Sequence, residues 1–147
     1  MKTTHKTLEY QTKGEFDFID ITQQVRKFVK ECEIKNGLVN VQILHTSAAL
    51  IVNENEPLLL EDIKNTLEKC SPKSEKYQHD NLSKRTVNVC PGECVNGHSH
   101  CKAIHLPVNA TLNIIDGKLQ LGQWQSIMLV ELDRPRTRRV QLQIIGE

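Results

Sequence analysis

Aromatic residues make up only 4% of this 147-residue chain, which removes the stacking platforms on which single strands of nucleic acid are held. Neither sign of charge dominates. The 19 basic and 18 acidic residues leave a formal net charge of +1, so no global field draws nucleic acid or an acidic membrane. No apolar run is long enough to cross a bilayer, and stretches such as 48–52 fall far short. The opening Met1-Lys2-Thr3-Thr4-His5 has no apolar segment after its charge, so it does not read as a secretory leader, and a cytoplasmic location is expected. Five cysteines are an odd number, which does not suit a fully paired extracellular framework. There is no internal repeat, low-complexity tract, phosphate-cradling glycine-rich loop or Asp-rich magnesium motif.

What remains is the pattern of a single domain, 1–147, long enough to bury roughly 68–70% of its unfolded surface. Residues 6–12 alternate with Leu8 and Tyr10 on one face, and Phe16 and Phe18 suggest a hairpin-like return. Thr22 is placed to cap a helix with the stripe Val25, Phe28, Val29 and Cys32, stopped by Asn36-Gly37. Residues 38–52 read as strand, bent or broken near 45–47. Pro57 opens a second helix with the stripe Leu59, Leu60, Ile63, Leu67 and Cys70, for which Asn55 would serve as cap. On these stripes Cys32 and Cys70 read as small buried hydrophobes. Residues 73–99 are polar and irregular. Strands follow at 111–115, 118–121 and 126–132 and around Val140, Leu142 and Ile144, with Asp116-Gly117 as a hairpin turn. Two helices among about seven strands favour an α+β fold.

Four constellations carry chemistry. The first runs from His45 through Ser47 to Asn53-Glu54-Asn55. An unbent strand at ~3.3 Å per residue would hold His45 and Asn53 about 26 Å apart, so they share a small substrate only if the chain bends or a neighbouring subunit contributes. The second pairs Tyr77-Gln78-His79-Asp80 with Ser99-His100-Cys101-Lys102. His45, His79 and His100 are candidate ligands for an open three-ligand metal site. The third is Gly117 to Gln125, where Trp124 either fills core or forms a wall for a flat ring. The fourth is Arg134, Arg136, Arg138 and Arg139. Arg136 and Arg138 share a strand face and either bind phosphate or pair with Glu131 and Asp133.

The first three of these, His45 to Asn55, Tyr77-Gln78-His79-Asp80 with Ser99-His100-Cys101-Lys102, and Gly117 to Gln125, together resemble the YjbQ family, also called secondary thiamine-phosphate synthase, from about residue 5 to the C-terminus. The resemblance implies a β-rich, sandwich-like or barrel-like α+β domain assembled as a homotrimer. It also implies a pocket gathering the His45, Glu54, His79, His100 and Trp124 positions. On that basis His45, Glu54 and His100 are the catalytic candidates. Ser47, Asn53, Asn55, Lys102, Trp124, Gln125 and Arg136 are the substrate-binding candidates, and a zinc or magnesium ion is the expected cofactor. The implied reaction joins a pyrimidine diphosphate to a thiazole phosphate, with metal-dependent hydrolysis at the same histidines or a non-catalytic trimer that binds a metabolite or metal as alternatives. The chain departs from the family pattern at Gln123, where a threonine is usual, and in the longer segment 82–97. That segment, with His98 and Cys101 after it, offers Cys90, Cys94, His98 and Cys101 as a structural zinc site, a Cys90–Cys94 disulfide or free thiols.

Overall fold

All 147 residues are described in the computed structural model. The strands β1 (Lys2–Gln11), β2 (Phe18–Asp20), β3 (Gly37–Ile43), β4 (Ala48–Asn53), β5 (Asn109–Ile115), β6 (Lys118–Leu119), β7 (Ser126–Glu131) and β8 (Thr137–Gly146) make two antiparallel sheets. Their orders are β1-β8-β3-β5-β6 and β2-β7-β4. Three helices accompany them: α1 (Thr22–Glu31), α2 (Pro57–Cys70) and α3 (Gly97–Ala103). The fold is α+β, and no helix is long and apolar enough to cross a membrane.

The smaller sheet explains why 48–52 and 127–130 read as unbroken apolar runs rather than alternating ones: both of its faces are covered. Ala48, Leu50, Ile127 and Leu129 face the larger sheet and α1, in a core shared with Val39, Val41, Val140 and Leu142. Ala49, Ile51, Met128 and Val130 face the other way and pack with Leu60, Ile63 and Leu67 of α2. Truncating Leu50, which has no exposed surface, to alanine should cost about 2–5 kcal/mol.

Several local expectations are revised. Phe18 does not return on β1; β2 pairs with β7 in the second sheet, Ile19 opposite Leu129. Thr22 is the first helical residue, not the cap, and its hydroxyl accepts from Ile127 N at 2.8 Å, tying α1 to β7. Asp20 supplies the local acceptor instead, at 2.9 Å from Thr22 N. The first helix ends at Glu31 and the chain turns left-handed at Glu33 (φ 53°), while Gly37 already begins β3. A side chain at Gly37 would collide with the Ile145 carbonyl, so this glycine permits close strand approach. Pro57 opens α2 as expected, but its cap is Glu56, whose carboxylate accepts from Leu58 N and Leu59 N at 3.0 and 2.8 Å. Cys70 is exposed and Cys32 only half-buried. The tract read as irregular holds a 3₁₀ turn (Gln78–Asp80) and the start of α3.

Candidate functional site

The chain crosses from one sheet to the other between Ile43 and Ala48, and that crossing places His45. Ile43 N donates to Val108 O (2.9 Å) and Leu44 N to Arg139 O (3.1 Å), so the bend is held from both sides. His45 Nε2 accepts from Arg139 N at 2.8 Å. A neutral ring that accepts at Nε2 carries its proton on Nδ1.

Opposite stands α3. Its N-terminus is fixed by Asp80, whose Oδ1 accepts from Asn96 N (3.0 Å) and Gly97 N (2.8 Å). Gly97 is needed there because a side chain would meet Tyr77 Cβ. This clasp docks the 3₁₀ turn onto α3, and the His79 and His100 rings meet edge to face, centroids 4.6 Å apart. His45 and His100 then line one open cleft of about 720 Å³, with Thr46, Ile104, Val108 and Asn109 among its walls.

Both cleft histidines are pushed toward the neutral form. For His45 the main cause is burial, reinforced by the charges of Arg138 and Arg139 and opposed by Glu131. For His100 burial again leads, then His79, with Asp133 and the Thr46 carbonyl pulling the other way and Arg85 adding to the depression. Two neutral imidazoles under arginine fields suit an anionic ligand, which would offset the positive potential, and neutral imidazole is ready to take up a proton.

The remaining candidates lie elsewhere. Asn53, Glu54 and Asn55 end β4 at its far side, roughly 17 Å along the strand from Ala48. Trp124 and Gln125 share that distant end, because Asn53 pairs with Ser126. Trp124 is 67% exposed rather than core, and Gln125 Oε1 accepts from Gly122 N at 2.8 Å. Asn55 Nδ2 donates to Asp20 at 3.2 Å, and Asn53 Oδ1 accepts from Glu54 N at 2.9 Å. The histidine end and the Glu54 end therefore do not meet within one chain.

Three candidates are structural in this geometry. Ser47 is buried and its hydroxyl accepts from Arg138 Nη2 at 3.0 Å, so it is not a substrate contact. Lys102 has no exposed surface; its ammonium lies 2.7 Å from Glu15 and 2.6 Å from Glu68, and 5.0 Å from the centre of the Phe16 ring. Arg138 points inward and pairs with Glu131, while Arg136 precedes β8 and leans on Asp133 at 3.4 Å. The two arginines therefore do not share a strand face. Glu15, Arg85, Ile104 and Val108 were not singled out in the sequence, whereas Arg139 was, as part of the arginine cluster.

A resident metal is not supported by the donor set. No three His, Cys, Asp or Glu side chains converge to hold an ion. A ligating imidazole donates its other N–H, whereas the other nitrogen of His45 accepts, which removes His45 from the proposed trio with His79 and His100. The cysteine reading resolves to free thiols: Cys90 and Cys94 are exposed, Cys101 half-buried. His98 is buried, 3.4 Å from Glu15 and 3.2 Å from Ser99 Oγ, and is not a zinc ligand with them.

Comparison with known proteins agrees with this architecture. Residues 6–147 match the family described as UPF0047 protein YjbQ-like. A UPF0047 protein of Archaeoglobus fulgidus is 41% identical over 133 residues, covering 90% of this chain and 94% of that one. One from Methanothermobacter thermautotrophicus is 34% identical over 147 residues, 100% of this chain and 95% of the relative. The crystal structure of a YbjQ-like protein of unknown function from Sulfolobus solfataricus superposes with a TM-score of 0.88 at 33% identity, covering 99% of both chains. A hypothetical protein from Aeropyrum pernix gives 0.82 at 33% identity over 100% of both.

Proposed function

The chain belongs to the YjbQ-like UPF0047 family, and from that premise we propose that it is an enzyme acting on a small phosphorylated, heteroaromatic substrate in the cleft between His45 and His100. The observation that carries the reading is the pairing of two neutral imidazoles across one cleft under arginine charge. Formation of thiamine phosphate is the reaction to test first. The thiazole nitrogen attacks the methylene carbon of the pyrimidine diphosphate; the carbon–oxygen bond breaks and its electrons leave with pyrophosphate. Protein groups then serve the leaving group. The Nδ1–H of His45 donates to an oxygen of the departing pyrophosphate, and the fields of Arg136 and Arg139 stabilise the developing negative charge. The side chains do not fit a resident zinc or magnesium ion, so a divalent ion belongs in this reading to the pyrophosphate as its counter-ion.

The reading includes a homotrimer. Each chain exposes an apolar rim at both ends of β4: Ile104 (80% exposed) and Val108 (54%) by the cleft, and Trp124 (67%) and Leu58 (76%) at the far end. Contact between unlike ends is head-to-tail, and it closes into a ring of three where successive copies are rotated by about 120°. It would bring Glu54, Asn53, Asn55 and Trp124 of one copy to the histidine cleft of the next, with Trp124 stacking the ring. The enzyme would work in the cytoplasm, where its five free thiols stay reduced.

Pyrophosphate release from a pyrimidine diphosphate plus a thiazole phosphate tests this. His45→Ala and His100→Ala should each lose about 10²–10⁴-fold in rate, while Cys94→Ala keeps it. A folded wild-type chain that sediments as a trimer yet releases no pyrophosphate would sink the reading.

A further inference from the structure

Three polar atoms in the neighbourhood of His100 are sealed from solvent and bonded to nothing: Arg85 Nη1, His79 Nε2 and the amide oxygen of Asn96, of which the first two can serve an anion as donors. A guanidinium N–H buried without an acceptor is among the costlier defects a fold can carry, and such defects concentrate where a ligand binds. The local chain keeps the two residues together. Asn81 N donates to Gln78 O at 3.1 Å, closing the turn that bears His79. Lys84 N and Arg85 N then both donate to Asn81 O, at 3.0 and 3.1 Å, so the backbone of Arg85 folds directly against that turn.

The orientation of the guanidinium is also set. Its second terminal nitrogen, Nη2, donates to Asn88 O at 2.8 Å. No carboxylate balances it. Asp80 is engaged with the N-terminus of α3, and Asp133 with Arg134, Arg136 and Asn96. The charge of Arg85 reaches His100, which in turn stacks edge-on with His79. A bare cation would be repelled here; an oxyanion would take up the idle donors.

We propose that Arg85 and His79, with His100, form an oxyanion subsite that holds a phosphoryl group at the edge of the histidine cleft. Guanidinium and imidazole N–H groups suit a tetrahedral oxyanion, and a protonated guanidinium nitrogen makes a strong, charge-assisted bond to it. The inference deepens the proposed phosphorylated substrate and rests on that reading for the identity of the rest of the molecule. It assigns a role to the segment in which this chain departs from the family pattern.

Calorimetric titration of the full chain with inorganic phosphate tests it, with acetate as the carboxylate comparison. Wild type should bind phosphate, with the His79 and His100 ring resonances moving during the titration and those of His5 still. Arg85→Gln should weaken phosphate binding by at least about tenfold, the size of one charge-assisted hydrogen bond, while Lys84→Gln stays within twofold. Arg85→Lys should fall between, keeping the charge and losing the fork, and serves if Arg85→Gln does not fold. Three results overturn the proposal: no phosphate binding by wild type at 10 mM, unchanged binding by a folded Arg85 variant, or acetate binding as tightly through the same residues. Loss of turnover in His45→Ala with unchanged phosphate binding in Arg85→Gln rejects the subsite and keeps the cleft. Phosphate binding that depends on Arg85 in a chain with no turnover keeps the subsite and rejects the synthase.

Discussion

Two arginine sites, one acting on each histidine of the cleft, are built oppositely. Arg138 is buried with every neighbour answered: Glu131 takes its Nε at 2.6 Å, Ser47 takes Nη2, and Glu131 also accepts from Thr12 Oγ1 at 2.8 Å and Asp133 N at 2.9 Å. Arg85 has one nitrogen on a backbone carbonyl and one on nothing. The first cluster fastens β8 to β7 and so joins the two sheets. The second is left incomplete, its charge acting on His100. The difference separates architecture from site: a buried charge that is fully paired holds the fold, and one that is not is waiting for something else.

The comparison breaks most visibly at Glu131. Glu131→Ala strands Arg138 in the core and should cost about 3–5 kcal/mol in urea unfolding at neutral pH, whereas Arg85→Gln should leave the midpoint unchanged or raise it. Equal losses in the two variants would erase the distinction. Next is Lys102→Ala, which leaves Glu15 and Glu68 facing each other. Glu68 is 41% exposed, so the expected loss is smaller, about 2–3 kcal/mol. Because Lys102 lies two residues from His100 on α3, its loss should also move the His100 ring resonances, and Lys102→Arg should partly restore them.

Acid sharpens the contrast further. Burial is the leading cause of the depressed pKa of His45, His98 and His100, each below its usual 6.5. In that case the unfolded chain takes up protons first, so stability should fall as the pH drops below 6.5 and level off once the folded pKa values are passed. Glu68 is also depressed, but against burial: burial raises it, the Lys102 and Lys73 hydrogen bonds and the Lys102 charge outweigh that, and its pKa lies below 4.5. Its contribution is present above 4.5 and lost only as the pH falls through the lower folded value. Unfolding midpoints from pH 8 to 4 should show the histidine loss first; a flat profile between 6.5 and 5 would contradict it. The smallest effect belongs to Trp124→Ala. A side chain 67% exposed should change the stability of the single chain by less than about 0.5 kcal/mol, yet it should lower the sedimentation coefficient if the far end of β4 meets a second copy.

Much of the frame was legible in the residues. Pro57 and the stripe after it gave α2, Asp116-Gly117 gave the β5–β6 turn with both residues left-handed, and the weak point at 45–47 gave the crossing between sheets. The errors have a common cause. Short elements are set by partners far away in the chain: β2 by β7, and α3 by Asp80, sixteen residues before Asn96. Polar residues are ambiguous for the same reason. Lys102 looked like a substrate contact because nothing near it in sequence shows that Glu15, 87 residues earlier, closes over it. His45 and His100 were found, and their meeting in one cleft was not deducible from spacing; Arg85 carried no local signal at all.

The Asp80 clasp has a consequence for how such a chain tolerates change. Because one carboxylate joins the 3₁₀ turn to Asn96 and Gly97, the stretch between begins and ends at the same place. Doubling such a tethered excursion costs only about 0.6 kcal/mol. Residues should therefore be gained or lost along it at small cost while the two rings at its base keep their spacing, so the loop bearing Arg85 can lengthen without disturbing the floor to which it returns.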